Sequence, residues 1–186
     1  NKLFSKFKAL RDEPQELRNL PIGAHVVRCF TLPTIKNYEV KSEWQPSIRC
    51  TAGGDKIQEK LQYGWRRAQS VKSQRDVIES ATAESTDAFI CCAKLRGDEL
   101  GQEDADGAYL QARREKEGRT PRRPNGLWAI VPKSLWSRDS KAHELNRPCF
   151  PVDGSLYGLE EAGFEWDEHL DERLEAENWH PLHDID

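Results

Sequence analysis

The chain has 186 residues, 32% of them charged and 37% hydrophobic, with a formal net charge of −4. That length suits one ordinary domain or an incomplete larger one. With a mean hydropathy of −0.83, no stretch reads as a membrane span or a signal peptide.

Residues 8 to 20 read as a short helix ending before Pro21. After Pro21-Ile22-Gly23 comes a run rich in β-formers, His25 to Leu32, read as a strand that Pro33 closes. Residues 34 to 46 look like a polar turn, and Ser47 to Ala52 like the returning strand, stopped by Gly53-Gly54. Residues 55 to 75 are polar and basic, with Tyr63 and Trp65 interleaved, and read as a loop suited to a nucleic acid or to plain solvent. Thr86-Asp87 offer a helix cap, Ala88, Cys91, Cys92 and Leu95 recur at helical spacing, and Gly97 is a natural stop.

A short strand is then expected to lead into Asp104. Residues 112 to 126 read as a loop whose six basic residues face a template or solvent. Leu127 to Val131 reads as a strand closed by Pro132, residues 133 to 147 as irregular, and Cys149 to Val152 as a short strand. A helix is expected from about 159 to 178, with Leu159, Ala162, Trp166, Leu170 and Leu174 on one face and acids on the other. Asn178 and Pro181 should end it.

Five cysteines without a C-x-x-C pair do not read as a disulfide framework. Each is expected to be a small buried hydrophobe in a reducing, intracellular setting, cytoplasm or nucleus, rather than a secreted one. His180 and His183 have no second ligand pair in range, so no zinc site is expected. The charge is uneven. From Gly154 onward eleven acids face one base, Arg173, a net −10 that leaves +6 on the preceding 153 residues. A phosphate-binding surface therefore belongs to the first part. The chain begins at Asn and contains no Met, which fits a piece cut from a longer polyprotein.

Three motifs line up in order. Ile48-Arg49-Cys50-Thr51-Ala52-Gly53-Gly54 is the first, Asp104-Ala105-Asp106-Gly107-Ala108-Tyr109-Leu110-Gln111 the second. The third is Ser155-Leu156-Tyr157-Gly158-Leu159-Glu160-Glu161-Ala162-Gly163 with Trp166. With these the chain resembles the reverse transcriptase domain of copia-type LTR retrotransposons over nearly its whole length. The family counterparts are Lys-Ala-Arg-Leu-Val-Ala-x-Gly, Asp-Val-x-x-Ala-(Phe/Tyr)-Leu-x-Gly and Ser-Leu-Tyr-Gly-Leu-Lys-Gln-Ala-Pro-x-x-Trp. Pro132-Lys133 with Trp136, and Arg147-Pro148-Cys149, are similar to its connecting segments.

The resemblance implies an α+β fold: the fingers and a partial palm of a right-hand polymerase, with fingers and connecting helices over about 1–98 and partial palm over about 99–186. It implies RNA-directed DNA polymerisation by two-metal nucleotidyl transfer, with Mg²⁺ (or Mn²⁺), deoxynucleotides and an RNA or DNA primer–template. Asp104 matches the first metal-ligating, catalytic carboxylate. Tyr109 matches the aromatic under the incoming sugar, and Arg49 the arginine on the triphosphate. Tyr157 and Gly158 match the segment lining the nucleotide and template side. Asp106 is given no metal role; it caps a turn or faces the triphosphate.

The match also has gaps. The family's Tyr-x-Asp-Asp hairpin has no counterpart, and His183-Asp184-Ile185-Asp186 is only an imitation, so the chain is expected to end before that hairpin. Ser47, Gly154 beside Asp153, and Glu160-Glu161 stand where the family has positive or neutral side chains, each removing charge where phosphate is expected. Polymerisation is therefore expected of the intact parent and not of these residues alone. One alternative is a catalytically dead remnant acting as an interaction domain. Another is a non-catalytic RNA-binding module built on the Tyr63–Arg75 and Arg113–Arg123 stretches.

Overall fold

His25–Lys36 forms the longest strand, β2, and the sheet is arranged around it. The computed structural model describes residues 2–36, 40–70, 83–101, 105–114 and 123–179. The other strands are β1 (Gln15–Glu16), β3 (Gln45–Ala52), β4 (Gln58–Leu61), β5 (Gly64–Arg67), β6 (Leu127–Ile130) and β7 (Pro148–Pro151). They join in the order β1-β7-β6-β2-β4-β5, with β3 also paired to β2. Only the β2–β6 pairing is parallel; the rest are antiparallel. Among the described residues three α-helices accompany the sheet: α1 (Ala83–Arg96), α2 (Ala108–Gln111) and α3 (Ala162–Ala176). The fold is thus α+β, and β6 and β7 tie the second half of the chain to the sheet of the first.

Side-chain alternation along β2 gives both faces of the sheet a core. Val27 and Cys29 face a main cluster with Leu10, Ala129, Phe150 and Leu156. Val26 faces a smaller one with Leu17, Leu20 and Cys149. The strand does not stop at Pro33, as its sequence suggested, but runs on to Lys36, with Pro33 opposite Ile48. Beyond Arg28 only β3 pairs with β2 among the described residues. A residue without an N–H is tolerated on such a one-sided stretch.

Several expectations are corrected. No helix spans residues 8 to 20. Leu10 bridges to Val152, Gln15–Glu16 pair with β7, and only Leu17–Asn19 make a single 3₁₀ turn. Pro14 lies inside the segment, lacking a donor and clashing with the preceding turn. The polar stretch from 55 is no loop: β4 and β5 form a hairpin that turns through Gly64 at φ 105°. Its last residues, 71 to 75, lie outside the described ones. Residues 97 to 101 contain no strand leading toward Asp104, and 102–104 lie outside the described residues.

The α1 helix begins before the expected Thr86-Asp87 cap and stops at Gly97, φ 75°, as the sequence suggested. Its supposed inner face is exposed: Leu95, Cys91 and Cys92 face solvent, and Ala93 is the one buried residue among those described in the helix. Cys91 and Cys92 are therefore not buried hydrophobes, unlike Cys29, Cys50 and Cys149. In α3 the buried positions are Ala162 and Glu165, while Leu170 and Leu174 are exposed. Asn178, at φ 62°, ends the helix, and Trp179 N–H returns to the Leu174 carbonyl. His180, His183 and Pro181 lie outside the described residues, and no helix among those described is long and apolar enough to cross a membrane.

Candidate functional site

The chain folds three distant segments onto one edge of β3. The Ala52 amide at the end of that strand donates to the Tyr157 carbonyl at 2.6 Å, and the Gly54 amide donates to the Gly158 carbonyl at 3.1 Å. Tyr157 and Gly158 thus sit against the free edge as a short backbone splint. This close approach needs glycine. Gly158 has φ 88°, and a Cβ there would collide with the Ala52 carbonyl oxygen.

The side chains meet where the backbones do. The Arg49 guanidinium carbon lies 5.7 Å from the centre of the Tyr157 ring. The Tyr109 and Tyr157 rings are 5.1 Å apart and tilted by 46°. Tyr157 therefore joins Arg49 and Tyr109 in one cluster of a cation and two rings. Tyr109 is carried by α2, which packs on α3. Gly107 opens that helix at φ 69°, pressed so closely on Phe7 that a Cβ would lie 2.7 Å from its ring.

A cavity of about 660 Å³ runs along this edge. Arg49, Cys50, Asp106 and Tyr157 line it, with Ser47 and Ala105. Tyr109 does not line it but packs against Tyr157, which does. Asp106 is paired with Lys6 at 2.7 Å, both groups about half exposed. Asp104 lies outside the described residues; its chain neighbour Ala105 is at the cavity wall. Asp106 is the one carboxylate among the described lining residues, and no described group of three or more His, Cys, Asp or Glu side chains converges as a metal site.

Gly158 also lines a second hollow of about 770 Å³, where Arg28 and Phe30 project from β2. Trp65, Lys56 and Arg147 complete its cationic and aromatic wall, opposed by Asp55 and Glu160. None of the three cations has an ion-pair partner among the described residues. The sequence reading missed this hollow, although Arg28 and Phe30, two apart on a strand, necessarily share a face.

Charged residues expected at a phosphate surface are used elsewhere. Glu161 is fully buried, accepting from Arg114 Nη2 at 2.8 Å and Arg123 Nε at 3.3 Å. Arg114 also reaches Glu165 at 3.3 Å. Burial pushes the Glu161 carboxyl up, but Arg114 and then Arg123 outweigh it and hold it below its ordinary value. Glu161 thus removes no charge from a phosphate site, and Arg114 and Arg123 are not template contacts. Gly154 is likewise packed inward, since a Cβ there would lie 2.9 Å from the Ala9 Cα, and Asp153 pairs with Arg11 at 2.8 Å. In the β4–β5 hairpin, Lys60 donates to the Arg18 and Leu20 carbonyls, and Arg66 pairs with Glu59 at 2.8 Å. Ser47 and Glu160 do face the hollows.

Comparison with known proteins returned no match among family models, curated proteins or solved structures.

Proposed function

We propose that this chain is the nucleotide- and template-gripping part of a reverse transcriptase of the copia retrotransposon type. In the intact parent it would act in RNA-directed DNA polymerisation. One observation carries the reading: Arg49 and Tyr157 line one cavity in contact with each other, and Tyr109, from a third motif, packs its ring on that of Tyr157. A triphosphate fits the guanidinium, which offers forked donors to phosphate oxygens. A sugar and base fit the aromatic wall. The second hollow suits the single strand ahead of the reaction, with bases on Phe30 or Trp65 and phosphates on Arg28, Lys56 and Arg147. Divalent metal would supply the charge neutralisation for transfer, and Asp104 is the residue the resemblance offers for it. The described side chains add no cradle of carboxylates. Their own work is binding and orientation.

A second reading has its own support. Asp55 and Glu160 place carboxylates in the hollow that would take phosphates. A catalytically dead remnant, serving as an interaction domain, would tolerate them.

Equilibrium titration of the chain with a fluorescent deoxynucleoside triphosphate, and separately with a primer–template, decides between the two. The expected result is binding of both, weakened roughly ten-fold or more in Arg49→Ala, a loss of about one charge-assisted contact. Tyr157→Ala should weaken both ligands, and Leu174→Ala neither. Wild-type protein that binds neither ligand at low salt would leave only the remnant reading.

A further inference from the structure

Cys29 and Cys50 sit on the paired strands β2 and β3. In the register, Cys29 faces Ala52 and Cys50 faces Thr31, so the two cysteines are diagonal neighbours on one face. Both are buried in the main core and both are free thiols. Diagonal positions are ordinarily about 7–8 Å apart at Cα, with the side chains somewhat closer. The thiols feel each other: Cys50 raises the Cys29 thiol, and Cys29 lowers the Cys50 thiol. Cys50 also lines the 660 Å³ cavity, which gives a small oxidant a route to an otherwise buried sulfur.

We propose that Cys29 and Cys50 form a reversible disulfide when hydrogen peroxide enters the cavity, making the β2–β3 ribbon a redox-modified element beside Arg49. The Cys50 thiolate attacks one peroxide oxygen and the O–O bond breaks. The departing hydroxide takes up the proton Cys50 gave and leaves as water, and Cys50 becomes a sulfenic acid. The Cys29 sulfur then attacks the Cys50 sulfur. The S–S bond forms, the S–O bond breaks, and the hydroxide leaves with the Cys29 proton as a second water. Two thiols lose two electrons, and one peroxide gains them. A disulfide needs Cα atoms within about 7 Å, the short end of the diagonal spacing, so closure fixes the separation of the two strands here. Thiol reductants reverse it by exchange. The residue that moves with Cys50 is its neighbour Arg49, so oxidation changes the cavity wall whatever ligand the cavity takes.

The test uses the whole folded chain and hydrogen peroxide, followed by alkylation, trypsin and mass spectrometry without reduction. The expected product is the peptide Cys29–Lys36 linked to Cys50–Lys56, with loss of two titratable thiols that dithiothreitol restores. The variant Cys91→Ser/Cys92→Ser/Cys149→Ser should give the same link. Cys29→Ala should stop at a sulfenic acid trapped by dimedone, and Cys50→Ala should not react at this pair. The proposal is overturned if wild-type Cys29 and Cys50 survive peroxide while Cys91 and Cys92 are consumed. It is equally overturned if the link joins other cysteines. Neither result bears on nucleotide binding.

Discussion

The α-carbon of Gly158 is turned so tightly against the carbonyl oxygen of Ala52 that no side chain fits between them. Gly158→Ala should therefore push the splint off β3. A non-glycine residue at φ 88° costs about 1–3 kcal/mol in strain alone, and the clash adds to that. Gly64→Ala is the comparison, because φ is 105° there but no atom lies near the added carbon. Urea denaturation should show a larger fall in midpoint for Gly158→Ala than for Gly64→Ala. Equal falls would mean that the contact with Ala52 carries no weight.

Glu161 gives a pH signature. Its ordinary value is 4.5 and its folded value is lower, so the folded state holds its proton less tightly than the unfolded state. Its contribution to stability is complete above pH 4.5 and drains as pH falls through the folded value. Glu161→Gln should flatten the acid limb of a stability–pH curve. It should also cost about 3–5 kcal/mol near neutrality, because Arg114 and Arg123 lose a buried counter-charge. An acid limb identical to wild type would refute the assignment.

His25 works at higher pH by the same rule. Burial lowers its value below 6.5, with Arg123 adding to the effect and outweighing the opposing pull of Glu59 and a backbone hydrogen bond at Gly23. The unfolded chain takes up a proton near pH 6.5 while the folded chain resists. Stability is thus full above pH 6.5 and falls as pH drops toward the lower folded value. His25→Asn should remove the part of the slope just below pH 6.5, read by thermal melts in closely spaced buffers.

Lys60 separates structure from nucleic-acid binding. Its ammonium donates to the Arg18 and Leu20 carbonyls, clamping the N-terminal segment to the hairpin. Lys60→Met should cost about 1.5–3 kcal/mol, the range for hydrogen bonds to a charged group. The salt slope of any RNA binding should not change. Arg66→Ala, which breaks an exposed pair with Glu59, should cost under about 1 kcal/mol. A reduced salt slope in either variant would revive the basic stretch as an RNA-binding surface.

How much was legible depended on which force set each element. The strands at His25, Ser47, Leu127 and Cys149 were readable because apolar and β-branched runs bounded by Gly or Pro are rarely anything else. The β4–β5 hairpin was not, since Gln58-Glu59-Lys60-Leu61 and Gly64-Trp65-Arg66-Arg67 are charged strands specified by pairing, not by burial. The segment before Pro21 was misread because Gln15–Glu16 become a strand only when β7 is there to pair with them. At the candidate site, Arg49, Tyr109 and Tyr157 could be named from their motifs, and the structure brings all three together. Arg114, Arg123 and Glu161 could not, because a charged run reads as solvated until the fold shows an acid sealed among its bases.

The twelve residues of β2 belong to two bodies at once. The first four pair with β6, and His25 and Val26 also with β4; among the described residues the rest form a ribbon with β3 alone. One continuous spar therefore runs from the anchored interior to the outlying arm that carries Arg49. A slip of a single residue in the arm would turn its side chains to the wrong face. The anchored end forbids that slip, so the arm can bend or twist but cannot change its alignment, and whatever it grips is met by the same row of groups each time.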